Sequence, residues 1–275
     1  MAVLNIAQAQ IPVYTDMQAL SGCLKRTAGE SVRRGADILA LPEMFCCPYN
    51  VSCFPEYAEK EGGPIWQLCS DTARTFHLCL SAGTIPEKGE DGKIYNTAYV
   101  FDRNGGQIAK HRKMHLFDID IKEGQRFRES AVLSPGNSVT TFDTEFGLMG
   151  LAICYDIRFP ELFRLMALKG ASLILVPASF NMTTGPMHWE LLFRSQSVYN
   201  GIFIAGTAPA RCRDASYVSW AHSIVTDPWG KVISEMDEKE GLGITRIDLE
   251  ECRKAREQIP VLRHRREDVY LLKER

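Results

Sequence analysis

Apolar strand-like runs alternate with amphipathic helical runs along most of this chain. Residues 3–10 alternate at the two-residue period of a strand, and residues 16–34 repeat at helical spacing. Residues 38–41 are a short apolar run of the kind found in buried strands. Residues 65–76 read as a helix and 78–85 as an apolar strand. Residues 98–101 and 107–110 flank Asp102-Arg103-Asn104-Gly105-Gly106, a hairpin signal. Residues 139–143 and 147–153 form a second such pair. Pro160 opens a helix through Lys169, because proline fits the first helical turn. A buried strand at 173–177, a helix at 187–199 and a strand at 202–207 follow. Asp227-Pro228-Trp229-Gly230 is the turn of a further hairpin. The last strand is expected at 243–247 and the last helix at 249–258.

This mixture of hairpins and helical crossovers predicts an α/β protein: a sheet-based core with helices packed outside. No linker, low-complexity stretch or repeat interrupts it, so one domain over residues 1–275 is the simplest account. Residues 259–275 have little periodicity and carry Arg263, Arg265 and Arg266 beside apolar residues. Such a tail is expected to be a solvated end or to dock on a partner subunit.

Composition narrows the function. The 275 residues are 45% hydrophobic and 24% charged, with a formal net charge of -2. No global field and no basic tract draws nucleic acid or an anionic membrane. The N-terminus lacks the charged and apolar regions of a signal peptide, and no apolar run would span a bilayer, so a cytoplasmic protein is expected. The 9 cysteines are scattered, without a CxxC pair or zinc-finger histidines. Free thiols in a reducing compartment are the expectation, with no metal at the Cys46, Cys47, Cys53 cluster.

Three segments carry candidate chemistry. In Leu39-Ala40-Leu41-Pro42-Glu43-Met44-Phe45 a carboxylate follows the end of a buried strand, where α/β proteins place working residues. His111-Arg112-Lys113-Met114-His115-Leu116-Phe117 places basic residues after another strand. In Ile153-Cys154-Tyr155-Asp156-Ile157-Arg158-Phe159-Pro160-Glu161 an apolar strand runs into a thiol just before a proline-started helix. A thiol on such a turn resembles a nucleophile elbow, whose backbone N–H groups receive a developing oxyanion. Read singly, each has a bland alternative: an exposed glutamate, a solvated basic loop, a core cysteine. Together they suit amide hydrolysis by a thiolate, with a carboxylate to move the proton and a lysine to hold the oxyanion.

LALPEMF, HRKMHLFD and ICYDIRFPEL, in that order, resemble the three motifs of the nitrilase superfamily, the carbon–nitrogen hydrolases. The resemblance implies a four-layer α-β-β-α sandwich that dimerises or assembles further, acts on a small-molecule amide and uses no metal or organic cofactor. It implies Glu43 as general base, Lys113 as oxyanion-stabilising lysine, Cys154 as nucleophile and Glu129 as a second, positioning glutamate. Lys113 is favoured over Arg112 by its place two residues before His115. The N–H of Tyr155 is implied to complete the oxyanion hole.

Within that superfamily, Pro48-Tyr49-Asn50, Phe54-Pro55-Glu56-Tyr57-Ala58-Glu59 and Phe180-Asn181-Met182-Thr183-Thr184-Gly185-Pro186-Met187-His188-Trp189-Glu190 resemble the omega-amidases. These hydrolyse the terminal amide of 2-oxoglutaramate or 2-oxosuccinamate. The likeness implies that Tyr49, Tyr155, Arg158, Phe180 and Thr184 bind substrate. A substrate of that type needs a fixed cation for its remote carboxylate, and Arg158 offers a planar fork; the alternative for Arg158 is a structural ion pair with Asp156 or Glu161. Amidases acting on deaminated glutathione or an N-carbamoyl amine are a second reading, and a catalytically idle binding subunit is a third.

Overall fold

A computed structural model describes residues 2–122 and 126–275. The chain opens with β1 (Val3–Gln10), α1 (Met17–Arg33) and β2 (Ile38–Ala40). Then come α2 (Phe54–Tyr57), α3 (Pro64–Phe76), β3 (Cys79–Lys88), β4 (Ile94–Phe101) and β5 (Gln107–Arg112). The short strands β6 (Asp118–Asp120) and β7 (Arg126–Arg128) pair antiparallel between the two halves. The second half runs β8 (Thr140–Thr144), β9 (Gly147–Leu151), α4 (Pro160–Lys169), β10 (Leu173–Pro177), α5 (Gly185–Asn200) and β11 (Phe203–Thr207). It closes with β12 (Ile224–Thr226), β13 (Val232–Glu235), β14 (Gly241–Asp248) and α6 (Glu250–Gln258).

Two six-stranded sheets result, in the orders β14-β1-β2-β3-β4-β5 and β13-β12-β11-β10-β9-β8. Each has a parallel centre fed by helical crossovers and antiparallel edges made by hairpins.

The period-2 alternation of each strand assigns its two faces. In β1, Leu4 and Ile6 belong to the core shared with the second sheet. Ala7 and Ala9 face the opposite side, with Leu20, Leu24 and Ala28 of α1. In β4, Ala98 and Val100 take the inner side and Tyr99 and Phe101 the outer. Trp189 and Phe193 of α5 and Phe163 and Met166 of α4 join the core of the second sheet. The layers are therefore helix, sheet, sheet, helix. Each buried Leu, Ile or Phe contributes about 1.5–3 kcal/mol relative to exposure.

Some buried polar side chains are hydrogen-bonded across the gap between the sheets. Gln8 Nε2 donates to Gly206 O at 2.8 Å, and Gln10 Nε2 donates to Asp237 O at 2.6 Å. His111 Nδ1 lies 2.9 Å from Thr140 Oγ1, tying the two edge strands β5 and β8 together.

The pattern-based elements recur with shifted ends. β4 and β5 are longer than the hydrophobic run suggests, because ladder pairing carries Asn96, Thr97 and Arg112 into the sheet. The β6–β7 pair and the single turn of α2 were not expected, since elements of three or four residues show no period. The tail from Ile259 forms no helix or strand and lies on its own chain: Glu274 pairs with Lys169 at 2.5 Å and accepts Val139 N at 3.3 Å. Among the described residues no helix is long and apolar enough to cross a membrane.

Candidate active site

Glu43 sits on a turn that β3 holds from beneath. β2 stops where Pro42 removes a ladder donor. Thr84 N donates to Pro42 O at 3.3 Å, and Thr84 Oγ1 accepts Met44 N at 2.9 Å. Met44 then adopts a positive φ of 51°. Gly83, at φ +55°, passes so close that an added Cβ would lie 2.1 Å from Pro42 O. The turn aims the Glu43 carboxylate inward, where it is fully buried. The exposed reading of this glutamate does not hold.

Lys113 reaches the same point from the end of β5. Strand alternation puts Lys110 and Arg112 on one side, where both bind Glu87. His111 and Lys113 take the other side and are fully buried. Arg112 is thereby excluded from the site; its guanidinium also stacks 3.8 Å over the Tyr95 ring. Lys113 Nζ donates to Glu43 Oε1 at 3.0 Å and to Glu129 Oε1 at 2.9 Å. Glu129, just after β7, accepts Tyr49 OH at 2.6 Å and Phe117 N at 2.7 Å. Asn96 of β4 donates to Glu43 Oε1 at 2.8 Å, whereas Glu43 Oε2 has no hydrogen-bond partner among the described residues.

Cys154 lies three residues past β9, at the start of a 3-10 turn spanning Cys154–Arg158. Its φ of 45° is left-handed, a strained value for a residue with a Cβ. Its Sγ is 3.8 Å from Ser179 O, which also accepts Tyr217 OH at 2.6 Å. Tyr155 is the second residue of this turn, whose backbone ladder begins one residue later with Asp156 N donating to Ile153 O at 2.9 Å. Asp156 fixes the turn by accepting Ile153 N at 2.9 Å.

Charge explains the resting state. Burial pushes the Cys154 thiol well above its ordinary value; the neighbouring Glu43 adds to the rise and Lys113 opposes it. Burial likewise raises Glu43, with Lys113 lowering it and Glu129 raising it again. For Lys113 burial acts downward, but Glu129 and Glu43 outweigh it and hold the ammonium above the usual lysine range. The thiol therefore rests protonated beside a carboxylate of raised proton affinity and a fixed cation. Such a set can pass one proton between sulfur, carboxylate and a leaving amine.

A cavity of about 240 Å³ opens beside this group, lined by Glu43, Tyr49, Ser179 and Tyr217 among others. It is smaller than a drug-sized pocket and suits a small metabolite. Arg158, Phe180 and Thr184 do not line it. The Arg158 guanidinium lies 5.0 Å from the Phe180 ring centroid and 5.6 Å from that of Tyr155, and Thr184 O accepts the backbone N–H of His188, whose Nδ1 is 3.2 Å from Arg158 Nη1. Among the described residues Arg158 has no carboxylate partner. Asp156 is taken up instead by His111 and His115.

A family profile described as carbon–nitrogen hydrolase matches residues 4–257. The chain belongs to the carbon–nitrogen hydrolase family. Omega-amidase NIT2-A of Xenopus laevis is 47% identical to this hydrolase over 246 residues, 90% of this chain and 89% of that relative. Omega-amidase NIT2 of Homo sapiens is 47% identical over 241 residues, covering 88% and 87%. The crystal structure of Saccharomyces cerevisiae Nit3, a member of branch 10 of the nitrilase superfamily, superposes with a TM-score of 0.86. It is 37% identical and covers 96% of this chain and 97% of its own. The fold of the hydrolase is the nitrilase-type α-β-β-α sandwich.

Sequence reasoning did not single out Asn96, Tyr217 or Ser179. Asn96 lies in an extension of β4 that the apolar run does not reach, Tyr217 in a loop without period, and Ser179 acts through its carbonyl. Asp156 stands beside Cys154 in the sequence, where spacing offers only an ion pair with Arg158.

Proposed function

We propose that this hydrolase is an amidase that cleaves the terminal amide of a small 2-oxo dicarboxylic acid monoamide, 2-oxoglutaramate or 2-oxosuccinamate. The observation that carries this reading is the guanidinium of Arg158 beside the thiol turn, which has no carboxylate partner among the described residues. A half-buried arginine without a carboxylate is a receiver for one. The likeness to omega-amidases supports the same substrate class.

In this reading Glu43 takes the proton of the Cys154 thiol as sulfur attacks the amide carbon. Lys113 and the Tyr155 N–H hold the oxyanion. Glu43 then gives its proton to the nitrogen, ammonia leaves, and a thioester remains on Cys154. Water, deprotonated by Glu43, attacks that thioester; sulfur leaves and recovers the proton. Glu129 and Tyr49 keep Lys113 in place, and Arg158, with Phe180 and Thr184 near it, receives the remote carboxylate.

Ammonia release from 2-oxoglutaramate and 2-oxosuccinamate by wild type and Cys154→Ala tests the reading. Cysteine-dependent turnover of these, in preference to deaminated glutathione and N-carbamoyl amines, is the expected result. Preference for the other amides would overturn the substrate class, and absence of turnover on every amide would overturn the enzyme reading.

The active form is further proposed to be a homodimer or larger homo-oligomer. Met187, Leu191, Val198 and Tyr199 of α5 and the nearby Trp229 expose apolar surface on one outer layer. Light scattering after gel filtration reads the assembly, and a monomer at working concentration would refute it.

A further inference from the structure

We propose that His188 is a positioning residue that sets specificity for anionic substrates: its Nδ1 takes one N–H of Arg158 and turns the rest of the guanidinium fork toward the substrate's remote carboxylate. This rests on the substrate class proposed above and adds a residue to its recognition.

An arginine side chain has many rotamers, and an unheld one spends little time aimed at a ligand. The Arg158 guanidinium carbon lies over two aromatic rings, 5.0 Å from the Phe180 centroid and 5.6 Å from that of Tyr155. Rings restrain a plane but do not set its rotation within that plane. The polar contact that does so is His188 Nδ1, 3.2 Å from Arg158 Nη1. Arginine only donates, so His188 accepts at Nδ1 and carries its proton on Nε2. Partial burial and the adjacent Arg158 cation both lower the proton affinity of His188, which keeps that lone pair free.

His188 is itself well placed to act as a fixed reference. It lies one turn after Thr184 in α5 and donates its backbone N–H to Thr184 O at 2.9 Å. The next residue, Trp189, anchors the helix: its Nε1 donates to His222 O at 2.7 Å, and its ring meets Phe180 edge-on at 5.1 Å. One N–H of five on the guanidinium is used by His188, leaving enough for a bidentate carboxylate.

His188→Ala and His188→Asn separate this role from a structural one, because the Asn Oδ1 stands where Nδ1 stood. Steady-state kinetics use 2-oxoglutaramate; alkylation of Cys154 by neutral iodoacetamide reads the thiol without a carboxylate. His188→Ala is expected to raise KM about 10-fold, the loss of one charge-assisted hydrogen bond. Its kcat should stay within about twofold of wild type, alkylation should be unchanged, and His188→Asn should recover most of the KM. An unchanged KM in His188→Ala, a joint loss of kcat and alkylation rate, or an Asn variant no better than Ala would each overturn the inference. If wild type itself fails to release ammonia from 2-oxoglutaramate, the substrate reading fails and this falls with it. A wild type active on that substrate with silent His188 variants removes the positioning role alone.

Discussion

Asp156 grips His115 twice: Oδ1 accepts the His115 backbone N–H at 2.9 Å and its ring Nδ1 at 2.8 Å. Its other oxygen accepts Ile153 N at 2.9 Å and lies 3.2 Å from His111 Nε2. One fully buried carboxylate thus joins the segment that carries Lys113 to the turn that carries Cys154. The histidine and amide hydrogen bonds outweigh its burial and hold Asp156 far below the ordinary carboxylate range.

Asp156→Asn should therefore damage both stability and catalysis. Asparagine has a single oxygen, so its NH2 group would face donors that Asp156 now accepts. Losing one partner of a buried charged network costs roughly 3–5 kcal/mol. Urea denaturation should show a lower midpoint, and the folded fraction should alkylate at Cys154 with altered kinetics. An unfolding free energy within about 0.5 kcal/mol of wild type would remove Asp156 from this role.

The motifs around Glu43, Lys113 and Cys154 were legible because each follows an apolar strand that periodicity exposes. Their convergence was not readable from spacing alone. It depends on β2, β5 and β9 lying in two different sheets that face each other, a relationship formed by long-range pairing. Asn96 and Tyr217 were missed for the same reason: their side chains have meaning only relative to Glu43 and Ser179 across the fold. Arg158 was legible as a cation, but its freedom from Asp156 was decided by two histidines some forty residues earlier in the chain.

Gly83→Ala tests the support beneath Glu43. The new Cβ would meet Pro42 O at 2.1 Å, and alanine at φ +55° is strained whatever the space. Together these should cost about 2–4 kcal/mol. The same shift would move the Glu43 turn, so kcat should fall in protein that remains folded. Unaltered stability and kcat would mean that β3 does not set the turn.

Arg158→Ala should cost roughly 2–4 kcal/mol in kcat/KM for an oxo-amide carrying a remote carboxylate, by analogy with truncating one side of a buried charge pair. A neutral amide should lose far less. Arg158→Lys should recover only part, since an ammonium lacks the bidentate fork. Equal losses on charged and neutral amides would assign Arg158 to structure.

The pH profile gives a sign-specific test of the Glu43–Lys113 pair. Burial raises the proton affinity of Glu43, and in the proposed mechanism Glu43 must be ionised to take the thiol proton, so kcat/KM should fall as pH drops through a value above the ordinary glutamate pKa of about 4.3. Lys113 opposes that rise. Lys113→Met removes the opposing cation 3.0 Å from Oε1, so the acid limb should move to higher pH. The Cys154 thiol loses the same cation, which now holds its raised proton affinity partly down. Its alkylation should therefore need a higher pH in Lys113→Met than in wild type, even where turnover is too slow to follow. An acid limb that stays put or moves down in the variant, with unchanged alkylation, would mean that Lys113 does not act electrostatically on either group.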